Sequence, residues 1–110
     1  MIDDTLQKIE ARIQNAEAIK EDRRRELLEL LGKLKSEVAS LSRTDQEQAQ
    51  SIAGFAELSA HEATRREQNP QALEHSVAGL RSSVEGFEES HPQLVQVVNA
   101  VSNFLSNLGI

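Results

Sequence analysis

Apolar residues recur at 4-3-4-3 spacing along most of this chain, and little interrupts them. Leu27, Leu31, Leu34, Val38 and Leu41 make one row, and Leu73, Val77, Leu80, Val84 and Phe87 a second. Leu94, Val98, Val101, Leu105 and Leu108 make a third. This spacing returns every residue of a row to one face of an α-helix. Strands favour β-branched and aromatic residues, yet the three aromatics here are all Phe, and two Pro and five Gly leave few breaks. The pattern predicts an all-α fold: a helical bundle or long antiparallel helical hairpins with coiled-coil-like seams, in a single domain spanning residues 1–110.

The breaks divide the chain into helical segments at about 3–19, 22–42, 45–68, 71–89 and 91–108. In the first, Leu6, Ile9, Ile13 and Ala16 share a face, and Asp3 and Asp4 suit the positive end of a helix. Asp22 is a candidate N-cap for the second, although one continuous helix through this junction is the competing reading. Thr44 and Glu47 have the spacing of a capping box before the third. That segment is poor in large apolar residues, with Ile52, Phe55 and Leu58, and carries instead a row of Ala49, Ala53, Ala56, Ala60 and Ala63. The row reads equally as a seam for close helix approach or as alanine's plain helix propensity. Asn69-Pro70 marks a turn, because the residue before Pro is biased away from the α region. At Ser90-His91-Pro92 a fresh helix capped by Ser90, with Pro92 in its first turn and Gln93 completing a capping box, is favoured over a kinked continuation, since Pro inside a helix costs about 3 kcal/mol. Gly109 is expected to terminate the last helix.

Charge excludes several functions. The chain carries 12 basic and 18 acidic side chains, net −6. Residues 1–66 hold 11 basic and 13 acidic groups and residues 67–110 hold 1 and 5, so neither part is basic. Affinity for phosphate backbones or anionic lipid rests on positive charge, so neither nucleic acid nor a membrane surface is an expected partner. No cysteine is present, which removes disulfides, thiolate catalysis and Cys-ligated zinc. The N-terminal Met1-Ile2-Asp3-Asp4 is acidic and lacks the apolar run of a signal peptide, and the expected location is the cytoplasm.

The last segment carries more apolar surface than one seam requires, since Val95, Val97 and Phe104 lie beside the main row. Such a helix is contacted on two sides. A homo-oligomer, most simply a homodimer with a shared helical core, is therefore expected. Leu94, Val98, Val101, Phe104, Leu105 and Leu108 are the candidate interface with another copy or an unknown protein partner.

The ending FEESHPQLVQVVNAVSNFLSNLGI is the most distinctive stretch. Its Phe87, Glu88, Ser90, His91 and Pro92 junction and its Leu108-Gly109-Ile110 terminus resemble the ending of a small bacterial family described only as a domain of unknown function. The helices DDTLQKIEARIQNAE and RRELLELLGKLKSEV are similar to that family's in a less specific way. The polar segment from Ser42 to Gln68 is longer than the resemblance implies. The resemblance implies a small helical protein and brings no catalytic residue, cofactor or metal site with it.

Individual residues suggest chemistry only weakly. His91 could transfer protons or bind metal, but no partner sits at ligand spacing, and a ring packed locally beside Pro92 is the expected state. Glu57 and His61 stand at i, i+4, with Glu62 adjacent, and His75 follows Glu74; ion pairs on a solvated helix surface account for both. Arg23-Arg24-Arg25 lies among Glu21, Asp22, Glu26 and Glu29, and the expected pairs are Glu21 with Arg25 and Arg25 with Glu29. Gly32, Gly54, Gly79 and Gly86 are isolated and form no phosphate loop. The sequence reads as a non-enzymatic structural or protein-interaction module acting through self-association or a partner helix. The alternative is a small bundle binding a metal ion or small ligand through His61, Glu57 or His91.

Overall fold

The computed structural model describes residues 2–17 and 19–108. Five helices follow one another: α1 (Ile2–Gln14), α2 (Glu21–Ser42), α3 (Gln46–Ala63), α4 (Pro70–Ser82) and α5 (Pro92–Leu108). Every other described residue lies in turns and connecting segments. The longest dimension is 37 Å, little more than the roughly 33 Å that the 22 residues of α2 span by themselves, so the chain is a bundle and not an extended hairpin.

The apolar rows are the core. Leu27, Leu31, Leu34, Val38 and Leu41 of α2 are buried, as are Leu73, Val77 and Leu80 of α4 and Leu6, Ile9 and Ile13 of α1. The helix with the fewest large side chains sits at the centre. Among the described residues, α3 alone packs against all four other helices. Ala49, Ala53, Ala56, Ala60 and Ala63 are all buried, and small side chains let several neighbours approach one helix at once. The close-approach reading of the alanine row is the one the structure adopts.

Local chemistry sets the helix ends, and several differ from expectation. The α1 helix stops at Gln14 instead of running to residue 19, and a short link leads to Glu21, so α1 and α2 are separate. Arg24 closes that link. Its Nε donates to the Ile13 carbonyl (3.2 Å), its Nη2 to those of Ala16 (2.5 Å) and Ile19 (3.0 Å), and its Nη1 pairs with Glu21 (2.7 Å). Lys20, not Asp22, precedes α2, and Asp22 accepts from the neighbouring Arg23 amide. Asp45, not Thr44, caps α3 by accepting from the Gln48 amide (3.1 Å), while the Thr44 hydroxyl donates back to the Leu41 carbonyl.

The α3 helix ends at Ala63, five residues early. There the Thr64 hydroxyl bonds the Ala60 carbonyl (2.7 Å) and the Gln68 side chain bonds that of Ala63 (2.9 Å). Asn69 caps α4 through the Ala72 amide (3.1 Å), with Pro70 at the first helical position. The α4 helix ends at Ser82, short of residue 89. The Ser83 hydroxyl bonds the Leu80 carbonyl and Gly86 adopts φ +94°, a left-handed conformation that a side chain would strain. Val84 is nevertheless buried and Phe87 half-buried, so the row continues past the helix that began it. The fresh start at Pro92 is observed, but the first α5 bond runs from the Val95 amide to the His91 carbonyl (3.2 Å). The Ser90 hydroxyl lies against His91 Nδ1 (3.0 Å). Gly109, and with it the expected helix stop, lies outside the described residues.

Candidate functional site

The α5 residues expected to face another copy are occupied within the chain. Leu94, Val98, Val101, Phe104 and Leu105 are buried and Leu108 is half-buried. The apolar excess of α5 is met by α2, α3 and α4, so the contacts assigned to a second chain are made by three helices of the first. Arg23 completes this cover from outside, with its guanidinium 4.6 Å from the centre of the Phe104 ring.

The tempting polar residues are scattered. His91 packs edge-on against Phe87, with ring centres 5.7 Å apart, and its amide bonds the Phe87 carbonyl (2.8 Å). His61 and His75 are exposed on different helices. Glu57 lines a groove of about 520 Å³ between α1 and α3, together with Lys8 and Arg12. Glu62 is buried and paired with Arg65 (3.0 Å). Among the described residues, no three His, Asp or Glu side chains gather where they could hold one metal ion. Of the arginine run, Arg24 seals the α1–α2 link and Arg23 covers Phe104; the pair with Glu21 is made by Arg24, one residue before the expected Arg25.

What the molecule does present is an apolar pair. Phe55 is 38% and Leu58 46% exposed, and they are the large apolar side chains left at the surface among the described residues. Both lie on the side of α3 away from the alanine row. Phe55 leans on α4 at Gly79: a methyl built on that glycine would collide with Phe55 Cε1 and sit 2.6 Å from Cδ1. One turn-pair earlier, the Gln48 side chain donates to the Ser83 carbonyl. These two ties set α3 and α4 antiparallel, and the same register brings His75 level with Leu58.

The Phe55 end of this face lacks charge, while Leu58 is bordered by Glu57 and Glu62. From Gln48 to Ala56 on α3 and from His75 to Leu80 on α4 no Asp, Glu, Lys or Arg occurs, although 27% of the chain is charged. Ser51 and Gly54 are exposed beside Phe55 and keep the face low. A second groove, about 540 Å³, runs between α2 and α5 over Leu30, Val97 and Ala100, but Lys33 and Glu37 stand on its rim.

A family model for a domain of unknown function, DUF4404, matches residues 27–110. The chain belongs to this family. The DUF4404 match begins within α2, so α1 and the arginine run precede it, and it takes in the whole polar segment from Ser42 to Gln68 together with the α3–α4 face. No curated protein and no solved structure matches the chain.

Proposed function

We propose that this DUF4404 chain is a non-enzymatic helical interaction module of the cytoplasm, working by presenting a helix face to a protein partner, itself included. The observation that carries the reading is the adjacent exposure of Phe55 and Leu58 on the outer side of α3. Fully burying a side chain of this kind contributes about 1.5–3 kcal/mol, so leaving two of them together at the surface forgoes stability that a partner can recover. The remainder of the core supports the same reading, because its apolar rows are already satisfied within one chain. Net charge −6 and the pairing of Arg23 and Arg24 within the fold argue against a nucleic-acid partner.

The test is native mass together with metal content, measured on one purified sample. Concentration-dependent association of metal-free protein is expected. A stoichiometric bound metal ion would overturn the reading in favour of a ligand-binding bundle.

A further inference from the structure

We infer that the surface of α2 and α3 beneath α1 is a helix-docking groove, held closed by α1 and open to a partner helix of the same pattern. The inference rests on the interaction-module reading and adds to it a second surface, with a partner of stated chemistry.

The helices α2 to α5 close on themselves. Among the described residues α2 packs on α3, α3 on α4, α4 on α5 and α5 back on α2, with α3 also touching α5. That is a closed ring of four helices, the layout of a bundle that needs no fifth. The DUF4404 match covers α3, α4, α5 and α2 from Leu27 onward. The α1 helix is added from outside: it packs on α2 and α3 and, among the described residues, on neither α4 nor α5. Both α1 and Arg24, which ties its end, precede the matched residues. The groove between α2 and α3 is thus seen with an amphipathic helix already laid in it, which is one of the recurring ways a helical protein takes a partner.

The seating of α1 defines that partner. Leu6, Ile9 and Ile13, at i, i+3 and i+7, are buried. Glu10 meets Lys35 of α2 (3.7 Å). On the α3 side, Lys8 and Arg12 line the groove of about 520 Å³ with Glu57, yet neither forms an ion pair with it. The fit there is loose, because Ala11 and Ala16 bring only methyl groups to the gap. A partner helix with three apolar residues at this spacing, an acid toward Lys35 and a base that reaches Glu57 matches the groove as α1 does. Larger side chains over the gap would fit it better. What favours α1 is its short link, which gives it a high effective concentration, so a partner binds the intact chain only to the extent that α1 leaves.

The experiment has two parts, both on the full chain. Native-state hydrogen exchange of the wild type in low denaturant is expected to show the α1 amides opening as a unit of their own, before those of α2 to α5. A fluorescein-labelled peptide of residues 2–17 is then titrated into the wild type and into Ile9→Asp, which detaches α1. Ile9→Asp is expected to keep the helical circular-dichroism signal of α2 to α5 and to bind the peptide at least about tenfold more tightly than the wild type, whose groove is filled. The same peptide carrying Ile9→Asp should bind neither protein. Exchange of α1 in step with the other four helices overturns the inference, and so does a folded Ile9→Asp chain that takes no peptide. An Ile9→Asp chain that loses all its helical signal overturns it as well, because α2 to α5 then do not stand without α1. None of these results bears on the interaction reading at the α3–α4 face, which is tested by native mass and metal content.

Discussion

The ring of Phe55 on α3 lies across Gly79 on α4, in the space that any side chain at that position would fill. Glycine in a helix interior costs about 1 kcal/mol relative to alanine, so the contact is made at the expense of α4's own propensity. The arrangement holds the aromatic ring at the edge of a helix pair, where it is neither in the core nor free in solvent.

This coupling is measurable. Gly79→Ala alone is expected to destabilise the protein by forcing Phe55 out of its seat. In a Phe55→Ala background the same change should stabilise by about 1 kcal/mol, because only the helix propensity remains. Chemical denaturation of the four proteins of this cycle checks the sign reversal, and an additive cycle would show that the ring does not depend on the glycine.

Arg24 ties the end of α1 to the start of α2, beside the apolar packing of Leu6, Ile9 and Ile13. Its guanidinium serves three carbonyls of the α1–α2 link and is only 16% exposed. Arg24→Ala should cost about 2–3 kcal/mol, since hydrogen bonds to charged groups contribute about 1.5–3 kcal/mol each and part of the loss is made up by water. Arg24→Lys should recover little, because an ammonium cannot fork across several acceptors. Hydrogen exchange is expected to accelerate in α1 first. Uniform acceleration across all five helices would contradict the local role.

Most of the architecture was legible in the sequence, and the failures have particular causes. The rows through Leu27 to Leu41 and Leu94 to Leu108 mark buried faces because a 3.6-residue helix leaves no other way to cover them. The ends of α1, α3 and α4 were not legible. They are set by Arg24, Gln68 and the Ser83–Gly86 turn, whose effects depend on atoms brought together by the fold. The apolar excess of α5 suggested a second chain because a one-dimensional pattern cannot say how many neighbours a helix has; α2, α3 and α4 are those neighbours. The Phe55–Leu58 face was within reach. At about 100° per residue, Phe55 and Leu58 point about 120° and 180° from the middle of the alanine row. Once that row is taken as the core side, the two side chains must face outward.

The burial of α5 makes a sharp contrast between two substitutions. Val98 is fully enclosed, and Val98→Asp places a carboxylate among apolar neighbours at a cost above about 4 kcal/mol, close to the whole stability of a small domain. The variant should be unfolded by circular dichroism. His61 is exposed, and His61→Ala should shift stability by no more than about 0.5 kcal/mol. A disruptive His61→Ala would contradict its surface placement.

Two buried hydroxyls, those of Ser59 and Ser102, have no hydrogen-bond partner among the described residues. An unpaired buried hydroxyl carries its desolvation cost without return, and alanine also has the higher helix propensity. Ser102→Ala is therefore expected to raise stability by about 0.5–1 kcal/mol, read as a higher denaturant midpoint at unchanged slope. A loss of stability would mean that the hydroxyl has a bound water or another partner in solution.

The central claim is that the chain works by presenting its α3–α4 face to a protein partner, itself included, and amide chemical shifts followed against protein concentration test it most directly. The account predicts shifts that move with concentration and cluster at residues 47–61 and 72–82, around Phe55, Leu58 and His75. Shifts that do not change, or that cluster along Leu30, Lys33, Gln96 and Val97 between α2 and α5, would contradict it.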